Sequence, residues 1–230
     1  MRNIKAVFIK QILSFFYNPA MLGTPIAFLS IPFAILMLVP GADADSPIII
    51  AQFVVMFVGI SMIGTSSGFI AEDRLTMNLR FMGMAGVKPY QYLIGTCATL
   101  LLISFGALIL FGLMGGYSGE TMINFLTLSM LGSASSMLLG ITLSLSKIGS
   151  FTPIIGILLG VGPIFADANE FLASIFHFVY TQQVNSAIRG DMTANLSEAI
   201  QITLINMAVL LLAFIFMNAR HGLDGERLVK

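Results

Sequence analysis

Residues 71–91 read AEDRLTMNLRFMGMAGVKPYQ, and the fold follows from how that stretch is taken. It carries Glu72, Asp73, Arg74, Arg80 and Lys88, while the sequence on either side is uncharged for the depth of a bilayer. A charge left in hydrocarbon costs several kcal/mol or deforms the bilayer around it. The stretch is therefore expected in water or against another protein, as a connector between two membrane-crossing helices.

Composition supports that frame. Of 230 residues, 57% are hydrophobic and 10% charged, against about 25% charged in soluble domains; the mean hydropathy is +0.94. The formal net charge is zero, but in such a chain the placement of charges carries more than their sum. Cys97 is the only cysteine, so no internal disulfide can form.

A helix needs roughly 20 residues to cross about 30 Å of hydrocarbon. Working outward from 71–91, six windows qualify: 21–39, 47–70, 92–115, 122–145, 151–166 and 198–217. The fifth is short, and Pro153, Gly160 and Gly162-Pro163 predict a helix that breaks before the far interface. Ahead of the first span, Ile4, Val7, Phe8, Ile12, Phe15 and Phe16 recur at spacings of three and four among Arg2, Lys5 and Lys10. That pattern predicts an amphipathic helix over 1–17 lying in the membrane interface and ended by Asn18-Pro19. The alternative is a first span that starts early, with Lys10 snorkelling to the surface. Lys10 also interrupts the apolar run that a cleavable leader would need.

Orientation follows from lysine and arginine. One alternating set of segments holds Arg2, Lys5, Lys10, Arg74, Arg80, Lys88, Lys147, Arg220, Arg227 and Lys230; the other holds only Arg189. Both termini and the 71–91 connector are thereby expected in the cytoplasm of a cell whose plasma membrane holds the chain. Asp43, Asp45, Glu120, Asp167, Glu170, Asp191 and Glu198 fall outside. The external connectors 40–46 and 116–121 are short. The third, 167–197, contains an apolar run over 171–180 that is too short to span, so a re-entrant pair of helices dipping into or lying on the outer leaflet is expected there.

Small residues four apart (Gly64 and Gly68, Gly132 with Ser136 and Gly140, Gly156 and Gly160) predict close helix packing, within one bundle or at a dimer seam. Residues 64–68, GTSSG, match the serine-hydrolase elbow, but that motif needs a strand-to-helix turn and this one lies within a predicted span. Asp167, Glu170 and His177 sit at helical spacing for a metal, or simply form a solvated face. No G-x-x-x-x-G-K-[ST] run occurs, so the chain does not cradle nucleotide phosphates in the P-loop manner. The span centres hold no Asp, Glu, Lys or Arg, which argues against proton-coupled transport. Polar content there is limited to residues such as Gln52, Thr65, Ser66, Thr99 and Ser104, suited to greasy or amphipathic cargo.

Taken together, the elbow ending in Asn18-Pro19, six spans with both ends inside, the charged first cytoplasmic loop, the external segment between spans five and six and the basic tail resemble the membrane subunits of ABC-2 type ATP-binding-cassette exporters. The most specific part is 72–82, EDRLTMNLRFM, followed by 85–95, AGVKPYQYLIG; Thr96 stands where many members carry a basic residue. The resemblance implies an all-α, six-span domain with an elbow helix, a cytoplasmic coupling helix and external re-entrant helices. It also implies that the chain is not itself an enzyme: ATP and Mg are bound by a separate ATP-binding cassette subunit, and the chain needs no cofactor of its own. Glu72, Asp73, Arg74, Leu75, Leu79, Arg80 and Met82 would dock that subunit. In the helix that the residues themselves suggest, Leu75, Leu79 and Met82 supply an apolar stripe and the charges a rim. The further implied partners are a second copy or paralogue of the permease and the lipid bilayer, with no nucleic acid. The cargo would be a peptide, drug, lipid or lipid-linked glycan moving outward. The competing expectation is a nucleotide-independent carrier or channel.

Overall fold

The computed structural model describes residues 2–39, 46–146, 149–166, 169–189 and 196–221, and these are helical almost throughout, with no strand among them. Of the charges used for orientation, Asp43, Asp45, Lys147, Asp167, Asp191, Arg227 and Lys230 lie outside the described residues. In chain order the helices are α1 (Arg2–Tyr17), α2 (Pro19–Leu38), α3 (Ser46–Met56), a π turn (Phe57–Ser61), α4 (Met62–Leu75), α5 (Asn78–Met84), α6 (Pro89–Met114) and α7 (Gly119–Leu145). A 3-10 turn (Gly149–Phe151) leads into α8 (Thr152–Ala166), followed by α9 (Glu170–Phe176), α10 (Tyr180–Arg189) and α11 (Leu196–His221).

Six helical stretches are long and apolar enough to cross a membrane: Met21–Leu38, Pro47–Leu75, Pro89–Met114, Gly119–Leu145, Gly149–Ala166 and Leu196–Asn218. They mark the chain as a multi-pass membrane protein, and each overlaps one of the six windows. Prolines set two of the junctions. Pro19 disfavours a helical Asn18 and opens α2 at its first position, as Pro89 opens α6.

The second stretch, α3 through α4, is the most enclosed of the six, and α7 packs against α4, α6 and α11. The π turn falls where α8 crosses. A β-carbon on Gly59 would stand 2.5 Å from the Gly160 α-carbon, so the two backbones touch there and only glycine fits. Gly140 does the same for α7 against Ile63 and Ser66. Gly64, by contrast, has open space where its β-carbon would be, so that part of the small-residue pattern packs nothing among the described residues.

Two expectations change. The connector does not begin at residue 71: α4 continues to Leu75, which puts Glu72, Asp73 and Arg74 on the last turn of a spanning helix. In the 167–197 segment, where a pair of helices at the outer leaflet is expected, α9 leaves Phe171 and Ile175 exposed and buries Phe176, whereas polar α10 is enclosed by α3, α7, α8 and α11. The α8 helix has 15 residues, about 22 Å of rise, and one carbonyl of its last turn, that of Pro163, accepts from Asn185 Nδ2 of α10 at 3.4 Å.

Candidate functional site

Three consecutive charges at the end of α4 point in three directions, because each residue advances about 100° around the helix. Glu72 turns to the end of α1, where its Oε2 accepts from Asn18 Nδ2 at 3.2 Å and from Ser14 Oγ at 3.5 Å. Asp73 points into the protein and is 1% exposed. Arg74 turns to the opposite flank, and its Nη1 donates to the Ser144 carbonyl in the last turn of α7 at 2.7 Å; carbonyls there lack helical partners and favour a cation.

Asp73 is the centre of the arrangement. Its Oδ1 accepts from Lys10 Nζ in an ion pair and from Asn78 Nδ2 at 3.2 Å. Its Oδ2 accepts from Gln11 Nε2 and Tyr92 Oη, both at 2.8 Å. Four donors saturate a carboxylate, and they come from α1, α5 and α6. Gln11 also approaches Thr96 Oγ1 at 3.3 Å, so the position where many of the resembled family carry a basic residue holds a hydroxyl of this same cluster. Asn3 Nδ2 reaches the far end of the loop, donating to the Gly86 carbonyl and to Gln91 Oε1, each at 3.2 Å. Gln91 Oε1 in turn accepts from the Lys88 backbone N–H at 3.0 Å, closing half of a capping box. Val7 packs on Gly95, and Thr99 Oγ1 donates to the Phe8 carbonyl at 3.3 Å. α1 thus grips both ends of the 71–91 stretch.

Between these grips, Met77 takes a left-handed backbone at φ 59°, the one non-glycine residue to do so among the described residues. For a residue with a side chain that conformation costs roughly 1–2 kcal/mol, and it breaks the helix that the sequence suggested would carry Leu75, Leu79 and Met82 on one face. Leu75 ends α4 and is 85% exposed; Leu79, in the first turn of α5, is 7% exposed, packed into the core, with Met82 against it. The inward stripe is Asn78, Leu79 and Met82. The outward stripe is Met77, Arg80, Phe81 and Met84, all exposed. Gly86 at φ 76° closes the loop, with the Val87 N–H on the Met82 carbonyl at 2.9 Å.

The structure therefore brings Glu72 and Asp73 together with α1 and sends Arg74 elsewhere. It buries Leu79, half-buries Met82, and leaves Leu75 and Arg80 outside. The sequence reading missed Lys10, Gln11, Asn78 and Tyr92. Their only signal is that a carboxylate at a helix end needs donors, and nothing in the spacing says which.

The other candidates are placed as follows. Ser66 is buried in α4, and its hydroxyl donates to the Ile63 carbonyl of its own helix at 3.0 Å. His177 Nε2 stands 4.0 Å from Glu198 Oε1; Asp167 lies outside the described residues, and those residues hold no cluster of three or more metal-ligating side chains. Comparison with protein-family models, curated proteins and solved structures finds no significant match to this chain.

Proposed function

We propose that this chain is the membrane subunit of an ABC-2 type exporter, moving a hydrophobic or amphipathic cargo out of the cytoplasm on ATP hydrolysis in a separate subunit. The observation that carries the reading is the construction of α5. Its outer stripe of Met77, Phe81 and Met84 with Arg80 is apolar and basic and has no covering element among the described residues, while its inner stripe is fixed through Asn78 to Asp73. A push on α5 would pass by that route to α1, to the tip of α4 and to the start of α6. Short amphipathic helices with a rigid mount suit helix-in-groove docking, and the cassette subunit, with its ATP and Mg, is the partner proposed here. Leu75, beside this face, joins it; Glu72, Asp73 and Leu79 serve as its mount.

A second permease copy is proposed as the further partner of the resembled family, with the open space at Gly64 of α4 and the exposed Ile154 and Leu158 of α8 as surfaces available for helix packing. The plasma membrane, with both termini in the cytoplasm, is proposed from the lysine and arginine bias.

The test is co-purification of the chain, expressed in its own host, with a nucleotide-hydrolysing subunit. The pair Arg80→Glu and Phe81→Asp should each cut recovery of that subunit by about tenfold while the membrane protein still elutes as a single folded peak. Retention of the ATPase by both variants would remove the docking face. Transport by the purified chain with no such companion would favour a nucleotide-independent carrier.

A further inference from the structure

On the flank opposite the Asp73 cluster, a cavity of about 300 Å³ is lined by Ser67, Ala71, Arg74 and Leu75 of α4, Ser144 of α7 and the Gly149–Thr152 turn leading into α8. The volume sits at the small end of ligand pockets, roughly 300–1,000 Å³. Its hydrogen-bonding groups are unequally spent. The hydroxyls of Ser67, Ser144 and Thr152 donate to the carbonyls of Gly64, Ile141 and Gly149, at 3.1, 2.6 and 2.7 Å. Arg74 offers five N–H donors and, among the described residues, uses one, on the Ser144 carbonyl. Its Nε is buried with no partner among the described residues.

The charge is equally open. The two acids next to Arg74 in sequence are committed to α1, Glu72 to Ser14 and Asn18 and Asp73 to Lys10 and its neighbours, and no carboxylate pairs with Arg74 among the described residues. A partly desolvated guanidinium with donors left on its outer nitrogens selects an oxyanion, which it can hold through charge-assisted hydrogen bonds. Ala71 and Leu75, the apolar side chains of the lining, lie on the last turns of a helix long and apolar enough to cross a membrane.

We propose that this cavity is a phosphate-binding site, with Arg74 as its ligand-holding residue. The phosphate is that of an anionic amphiphile whose apolar part lies along Ala71 and Leu75, or a free phosphate ion. Its ligand-holding residue, Arg74, lies outside the α5 docking face, which shares only Leu75 with the cavity, so phosphate binding is tested whether or not an ATPase docks there.

Native mass spectrometry of the purified full chain, exchanged into mild detergent with equal phosphatidylglycerol and phosphatidylcholine, tests the lipid arm. A light-scattering melt in inorganic phosphate against chloride at matched ionic strength tests the free-ion arm. Wild type should retain the anionic lipid about tenfold over the zwitterionic one. Arg74→Gln should abolish that preference and Arg74→Lys should keep part of it. Because Arg74 also holds Ser144, a second variant guards against misfolding: Ala71→Phe, at an exposed position, fills the apolar part and should remove lipid preference with the melt unchanged. If phosphate alone raises the wild-type midpoint, Arg74→Gln loses the rise and no lipid preference is seen, the site takes free phosphate. Wild type without preference in either arm, or Arg74→Gln retaining it, overturns the proposal. So does loss of a co-purifying protein from Arg74→Gln with lipid retention unchanged, which would make the partner a protein carboxylate.

Discussion

Two polar clusters are enclosed in this bundle, and they are built on opposite rules. At the Asp73 end, a full charge is matched by another charge and by three neutral donors drawn from α1, α5 and α6. At the α10 end, everything is neutral and matching is incomplete. Tyr180 Oη meets Ser136 Oγ at 2.8 Å, Asn185 Nδ2 meets the Pro163 carbonyl at 3.4 Å and Gln183 Nε2 meets the His177 carbonyl. Thr181 Oγ1, Ser129 Oγ and Ser61 Oγ are buried with no partner among the described residues. An unmatched hydroxyl costs about 1–3 kcal/mol, whereas a buried charge stripped of its partner costs several. The charged cluster is therefore held to one arrangement, while the neutral one can exchange partners at modest cost. In the exporter proposed above that difference would have a use: the first would transmit motion as a rigid block and the second would yield to it.

The largest effect that separates the two belongs to the ion pair. Lys10→Met leaves the Asp73 carboxylate enclosed with only neutral donors and should lower unfolding stability by about 3 kcal/mol, the low end for a broken buried pair because those donors remain. Asp73→Asn in the same background should recover part of the loss, with a coupling of about 1–2 kcal/mol between the sites. Urea unfolding in detergent of the two single variants and the double would measure it. Additive losses would mean that Lys10 and Asp73 are neighbours without being partners, and the rigid-block description would go with them.

This asymmetry also explains what the sequence could and could not say. The six apolar windows were legible because length and hydropathy depend on the solvent rather than on packing, and Asn18-Pro19 was legible because proline acts on its immediate neighbour. The importance of 72–74 was visible as charge amid apolar sequence. Their separate destinations were not, since they depend on where α4 ends, and Met77 in a left-handed conformation is a residue that no propensity would place there. The same break hid which face of α5 is inward: Leu79 with Met82 and Phe81 with Met84 are equally apolar. The enclosure of α10 is not legible in YTQQVNSAIR, whose polar residues carry no hydropathy signal for burial. The helix is enclosed by α3, α7, α8 and α11, where Tyr180 meets Ser136 of α7 and Asn185 meets the Pro163 carbonyl of α8, and those are relations between elements rather than properties of α10 alone.

Within the neutral cluster the intermediate effect is at Tyr180. Tyr180→Phe keeps the ring and removes its hydroxyl, leaving Ser136 Oγ without its partner, so a loss of about 1 kcal/mol is expected. Ser136→Ala should cost a similar amount, and the double variant little more than either, since the two hydroxyls serve each other. A loss for Tyr180→Phe approaching that of Lys10→Met would show that the neutral cluster is as tightly determined as the charged one.

The smallest effect is the most discriminating, because its sign is at stake. Thr181 is enclosed on α10 and its hydroxyl has no partner among the described residues. Thr181→Val keeps the branched shape, has similar helix propensity, and deletes a polar group whose burial is uncompensated. The variant should therefore be as stable as wild type or gain up to about 1 kcal/mol, whereas any group in the Asp73 cluster loses stability when deleted. The melting midpoint in detergent reads the sign directly. A fall in that midpoint would mean that the hydroxyl is already engaged by an ordered water. Incomplete matching, and with it the contrast between a rigid end and a yielding one, would then no longer describe the molecule.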